Sequence, residues 1–148
     1  MATWGEFEIA EPEMASFARE RVAGRVAYQA TLRLDGAPRV HPVSPWFATG
    51  LLCVSFRETS PKVAEVSRDS RYALHSAQPW DDHEGEHGEF MVRGWLEQIS
   101  PVHPAVTQRP GDPPADLVHY ACSVEEAVAT DYPDGLPRYR RWQAPESR

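Results

Sequence analysis

Cysteine is scarce in this chain: Cys53 and Cys122 are the only two in 148 residues. They share neither metal-ligand nor redox spacing, so a disulfide framework is excluded. Cys53 sits in an apolar run, where a buried free thiol is expected, and two free thiols fit a reducing, cytoplasmic setting. Long apolar runs are missing as well. No stretch approaches the roughly 20 residues of a membrane span, and the acidic start MATWGEFEIAEPE lacks the order of a signal peptide. Positive charge is in deficit, with 15 Lys and Arg against 22 Asp and Glu and a net charge of −7. That excludes a nucleic-acid surface and argues against anionic membranes, because both need a basic face. A nucleophile elbow, a dinucleotide-type glycine loop and paired catalytic carboxylates are also absent, and no catalytic residue is assigned. The apolar share of 41% is modest. Irregular segments, or burial against a second copy of the chain, would account for it.

What the chain has is turn chemistry and short β-rich runs. Its length suits one domain over 1–148, without repeat or linker, with 1–10 and 101–118 expected to be irregular. Pro12 to Ala23 carries Met14, Phe17, Ala18 and Val22 at helical spacing, and Gly24 follows as a stop. Arg25 to Leu34 alternates as a strand with Val26, Tyr28, Ala30 and Leu32 on one face. Asp35-Gly36 predicts a type I′ hairpin turn. Pro38 to Phe47 returns as its partner, but Pro42 and Pro45 cannot donate to a ladder, so this strand must lie at an edge, be bulged or be bent there. Leu51 to Phe56 reads as a buried strand and Pro61 to Ser67 as a short helix. Arg71 to Ser76 and Glu89 to Ile99 follow as strands. Ala115 to Tyr120 reads as a helical turn, Ser123 to Tyr132 as a strand, Pro133-Asp134-Gly135 as a turn and Arg138 to Trp142 as the closing strand. The sum is a mainly β fold, six or seven antiparallel strands curled into a small barrel with short helices.

The junction at Ser60-Pro61-Lys62 is where an anion would bind. Helix-start amides beside a lysine, an arginine and hydroxyls suit a phosphate. The alternative is a solvated helix start with an ordinary lysine. Asp81, Asp82, His83, Glu84, Glu86 and His87 crowd one loop, but their spacing fits no standard metal pattern, and a solvated acidic loop is expected instead. Arg68, Asp69 and Arg71 suggest an ion network at the helix exit. Trp80, Trp95 and Trp142 suit either a pocket wall or packing.

The ordered pieces ATLRLDGAPRVHPV, TGLLCVSF, SPKVAEVSRDSRYALHS and GEFMVRGW resemble the pyridoxamine 5′-phosphate oxidase-like, FMN-binding split β-barrel superfamily. The resemblance covers residues 11–100. It implies a six-stranded Greek-key split barrel that forms a homodimer with a flavin in the groove between protomers. It further implies phosphate contacts at Arg57, Thr59, Ser60 and Lys62, and a ring system along Ala30, Thr31, His41, Pro42 and Val43. The partner's C-terminal strand would bring Arg138 or Trp142 near the ring. The function implied is an FMN-dependent oxidoreductase passing hydride to or from a small organic substrate. A reductase using the deazaflavin coenzyme F-420, and a non-catalytic flavin- or haem-binding protein, stay open. The arginine-rich C-terminal signature of the vitamin B6 oxidase is not matched, which argues against pyridoxamine phosphate itself.

Overall fold

The structure is a computed structural model that describes residues 1–78 and 87–146. The first ten residues, expected to be irregular, form helix α1 (Trp4–Ala10). A capping box explains it: Thr3 accepts from the Glu6 amide while Glu6 accepts from the Thr3 amide, satisfying two helix-start donors at once. Trp4 and Phe7 are thereby fixed inward and are fully buried. Helix α2 (Pro12–Val22) follows the predicted bounds closely and buries Met14, Ala15, Ala18 and Val22.

Strand β1 (Ala27–Leu32) pairs with β2 (Pro38–Val43), from Ala27 opposite Val43 to Leu32 opposite Pro38. Their connection is not a type I′ turn. Only Gly36 has a positive φ (85°), and the loop closes through Gly36 N to Arg33 O and Arg33 N to Ala37 O, both 2.8 Å. That is a turn followed by one left-handed residue, the arrangement of a longer hairpin loop. The two-residue geometry occurs instead at Thr49-Gly50, where φ is 51° and 73°, between β3 (Trp46–Ala48) and β4 (Leu51–Arg57). The single strand expected over Pro38 to Phe47 is broken at Ser44-Pro45. Among the described residues β2 pairs with β1 alone and lies at one end of the strand order, while β3 pairs with β4 at the other end. The prolines thus placed β2 at an edge and bent the chain there.

Helix α3 (Pro61–Arg68) leads into β5 (Arg71–Ser76), and β6 (Glu89–Ile99) is the seam of the fold. Its first half pairs with β5 and with β8 (Glu126–Asp131); its last four residues pair with β7 (Leu117–Cys122). Gly94 sits at the change of partner. A Cβ there would lie 2.3 Å from the Ser123 carbonyl oxygen, so only glycine lets the strands approach. Residues 115–120 were expected as a helical turn; Leu117–Cys122 is a strand because it is hydrogen-bonded on both sides, to β4 and to β6. A short helix α4 (Pro104–Thr107) precedes it, and β9 (Arg138–Gln143) pairs with β8. With the split of β2 from β3 and the gain of β7, the described residues hold nine strands. The architecture is mainly β, with an antiparallel sheet curled as a split barrel and α1, α2 and α3 packed against it.

Candidate functional site

On β1, Tyr28, Ala30 and Leu32 do share a face, but it is the outer one, where Val26 and Tyr28 are about half exposed. The inner face carries Ala27, Gln29 and Thr31. Two of these are polar, and the Gln29 side-chain amide and the Thr31 hydroxyl are buried with no partner among the described residues. His41, opposite Gln29 on β2, likewise has neither ring nitrogen bonded. Burial, and secondarily the charges of Lys62 and Arg39, push its pKa down to about 4, so the imidazole is neutral at pH 7.

Helix α3 packs against β1 and β4. Ser60 caps it by accepting from the Lys62 amide at 3.3 Å, and Pro61 occupies the first turn, where its missing N–H costs nothing. Lys62, the chain's sole lysine, is half-buried with its ammonium 4.9 Å from the centroid of the Phe56 ring. Burial, then Arg39, hold its pKa below the ordinary lysine value. It has no carboxylate at ion-pair distance among the described residues. Arg39 does: it grips buried Glu65 with two hydrogen bonds of 2.9 and 2.7 Å.

The residues expected around a phosphate therefore differ in availability. Lys62 has no ion-pair partner among the described residues, Ser60 is engaged with its own helix, and Thr59 is exposed in the turn. Arg57 is turned to Asp116, 2.8 Å away in an exposed pair. The residues expected along a ring also divide between faces. Ala30 and Pro42 belong to the outer side of the β1–β2 pair, whereas Thr31, His41 and Val43 belong to the inner side. Trp142 packs inside this same chain, 5.1 Å from Phe7 and against the core. Arg138, by contrast, is exposed and paired with Asp131. At the helix exit Asp69 and Arg71 pair, and Arg71 holds the Asp69 carboxyl at about 2.

The outer face of β1, β5 and β6 carries a cleft of about 370 Å³ whose walls include Ala30, Leu32, Ala73 and Trp95. A second region, which the sequence did not single out, lies where β4 and β7 meet the segment after α4. Ser55 and His119 are opposite each other in the ladder, their Oγ and Nδ1 2.8 Å apart, and Arg109 donates to the same hydroxyl at 3.3 Å. No spacing announces this set, because Ser55 and His119 meet only through β4–β7 pairing and Arg109 reaches them from the segment between α4 and β7. Among the described residues no group of three metal-ligating side chains exists. The crowded loop, from Trp80 and Asp81 to Glu86, falls outside the described residues.

The sequence matches no family profile, and no curated protein resembles it closely enough to register. Solved structures do resemble it. The haem-binding protein from Mycobacterium smegmatis superimposes with a TM-score of 0.66 at 15% identity, over 89% of this chain and 58% of that one. This chain therefore spans little more than half of that protein. PhzG from Burkholderia lata, solved with tetrahydrophenazine-1-carboxylic acid, gives 0.65 at 13% identity over 95% and 87%. An F-420 reductase gives 0.57 at 19% identity over 74% and 94%. Likeness at this level establishes a shared fold, the mainly β, antiparallel split barrel, and nothing finer.

Proposed function

We propose that the chain is a flavin-dependent oxidoreductase that binds FMN and acts on a small organic substrate in the cytoplasm. The observation that carries the reading is Lys62: the chain's sole lysine, half-buried and without a carboxylate partner among the described residues, in the first turn of a capped helix. An unneutralised cation beside helix-start amides suits a phosphate. Within this reading Lys62 contacts the FMN phosphate, and the exposed Arg57 can leave Asp116 to join it, since a solvated ion pair holds weakly. FMN would supply the hydride-accepting and hydride-donating ring; the protein's part is to position it and exclude water. Backbone groups of the edge strand β2, which has no second neighbouring strand among the described residues, would face the ring in this reading.

The proposal includes a homodimer. Across the outer face of β1 and β2, Tyr28 opposes Pro42, Ala30 opposes Val40 and Leu32 opposes Pro38, and Val40 is 68% exposed. A continuous apolar strip of this kind suits burial against a second copy. No helix among the described residues is long and apolar enough to cross a membrane.

The test is an absorbance scan of the purified protein with mass analysis of the group released on denaturation. A flavin spectrum and the mass of FMN are expected. Release of F-420 would redirect the reading to deazaflavin chemistry, a Soret band would redirect it to haem, and a colourless protein that takes up none of the three would overturn it.

A further inference from the structure

Arg109 is distinguished by what surrounds it. Its guanidinium lies 4.5 Å from the centroid of the Trp46 ring, half-buried, and no carboxylate stands within ion-pair distance among the described residues. Arg39, Arg57, Arg71, Arg93 and Arg138 all have such partners. Burial lowers the Arg109 pKa from its ordinary value. An arginine that is partly desolvated yet unneutralised is costly unless an anion completes it.

Space for that anion is present. Two clefts of about 340 and 250 Å³ have Val26, Ser44 and Arg109 as common walls. The larger adds Pro42, Val43 and Ser55, the smaller adds Trp46. In the larger cleft Arg109 is the only guanidinium, set among two serine hydroxyls and apolar Val26, Pro42, Val43 and Leu117, whereas the smaller also has Arg25 on its wall. The larger cleft thus suits a partly apolar molecule with one charged group. His119, 7% exposed beneath Ser55, has its pKa lowered by burial and by Arg109. It is therefore neutral at pH 7 and adds no second charge. In the larger cleft a single planar fork with a serine hydroxyl beside it matches a carboxylate better than a dianionic phosphate.

We propose that Arg109, with Ser55 beside it and Trp46 as its platform, is the recognition site for the carboxylate of an aromatic or apolar organic acid. The site is argued from this chain's own side chains; that the acid is the substrate rests on the flavin reading above. Its position fits that role, because Pro42 and Val43 of β2 belong both to the cleft and to the strand expected along the flavin ring.

Benzoate is the probe, with benzamide as its neutral counterpart and inorganic phosphate as a competing anion. Nitrogen–proton correlation spectra of the full chain report the Arg109 Nε–H and Trp46 indole resonances directly. Saturable benzoate shifts at both are expected, with no response to benzamide and no displacement by equimolar phosphate. Arg109→Gln should weaken benzoate binding about tenfold or more while leaving FMN affinity as in the wild type. Equal binding of benzoate and benzamide, displacement by phosphate, or unchanged benzoate affinity in R109Q would each overturn the site. Because benzoate is titrated without FMN, a protein that binds benzoate but no flavin would leave the carboxylate site standing and reject only the cofactor reading.

Discussion

Arg39 and Glu65 tie strand β2 to helix α3: Nε and Nη2 of the arginine donate to the two carboxylate oxygens at 2.9 and 2.7 Å. Among the described residues this is the only side-chain hydrogen-bonded link between that edge strand and the helix carrying Lys62. Glu65 is 5% exposed, so removing its partner leaves a buried charge behind. Arg39→Ala should therefore lower the thermal midpoint and loosen α3, read as faster amide exchange over Lys62 to Val66. Amide protection unchanged from the wild type would show that the helix is held by packing alone.

His41 makes the fold sensitive to acid. Its folded-state pKa is about 4 against an ordinary 6.5, so the folded protein binds the proton less readily than the unfolded chain. The stability due to its neutrality is complete above pH 6.5 and is lost as pH falls toward 4. Urea midpoints measured across that window should fall for the wild type and fall less for His41→Gln. Parallel curves for the two proteins would remove His41 as the cause.

Gly94→Ala places a methyl group 2.3 Å from the Ser123 carbonyl oxygen. Backbone cannot swing aside as a long side chain does, so the substitution should destabilise by about 3 kcal/mol, the upper part of the range for overpacking. Urea denaturation of the variant checks it; a loss under about 1 kcal/mol would mean that β6 and β7 separate at little cost.

Both thiols should be silent. Cys53 and Cys122 are buried, and burial pushes the Cys53 thiol up to about 12, which leaves almost no thiolate to react. A disulfide reagent at pH 8 should titrate neither cysteine in the folded protein and both in denaturant. Rapid labelling of the native protein would point to opening of β4 or β7.

The hairpins, the edge strand and the barrel were legible because glycine, proline and alternation act locally. Pro42 and Pro45 forecast both the edge position and the break. Other parts needed contacts far along the chain. Leu117–Cys122 has no strong period, and its two ladders to β4 and β6 decide its state. The inward face of β1 was not predictable from hydrophobicity, since Gln29 and Thr31 are buried while Val26 and Tyr28 stay exposed. Helix α1 was legible after all: Thr3-Trp4-Gly5-Glu6 carries the capping-box spacing. At the candidate site the sequence drew attention to Lys62 but could not show that Arg57 turns to Asp116. Arg109 had no signal, because its meaning depends on Trp46 beneath it and Ser55 beside it.

The most direct test of the account is an FMN titration of the wild type and Lys62→Ala, followed by flavin fluorescence, with circular dichroism to establish that both are folded. Loss of one charge-assisted phosphate contact should weaken FMN about tenfold or more. An equally folded K62A protein that binds FMN as tightly as the wild type would contradict the placement of the phosphate at the start of α3.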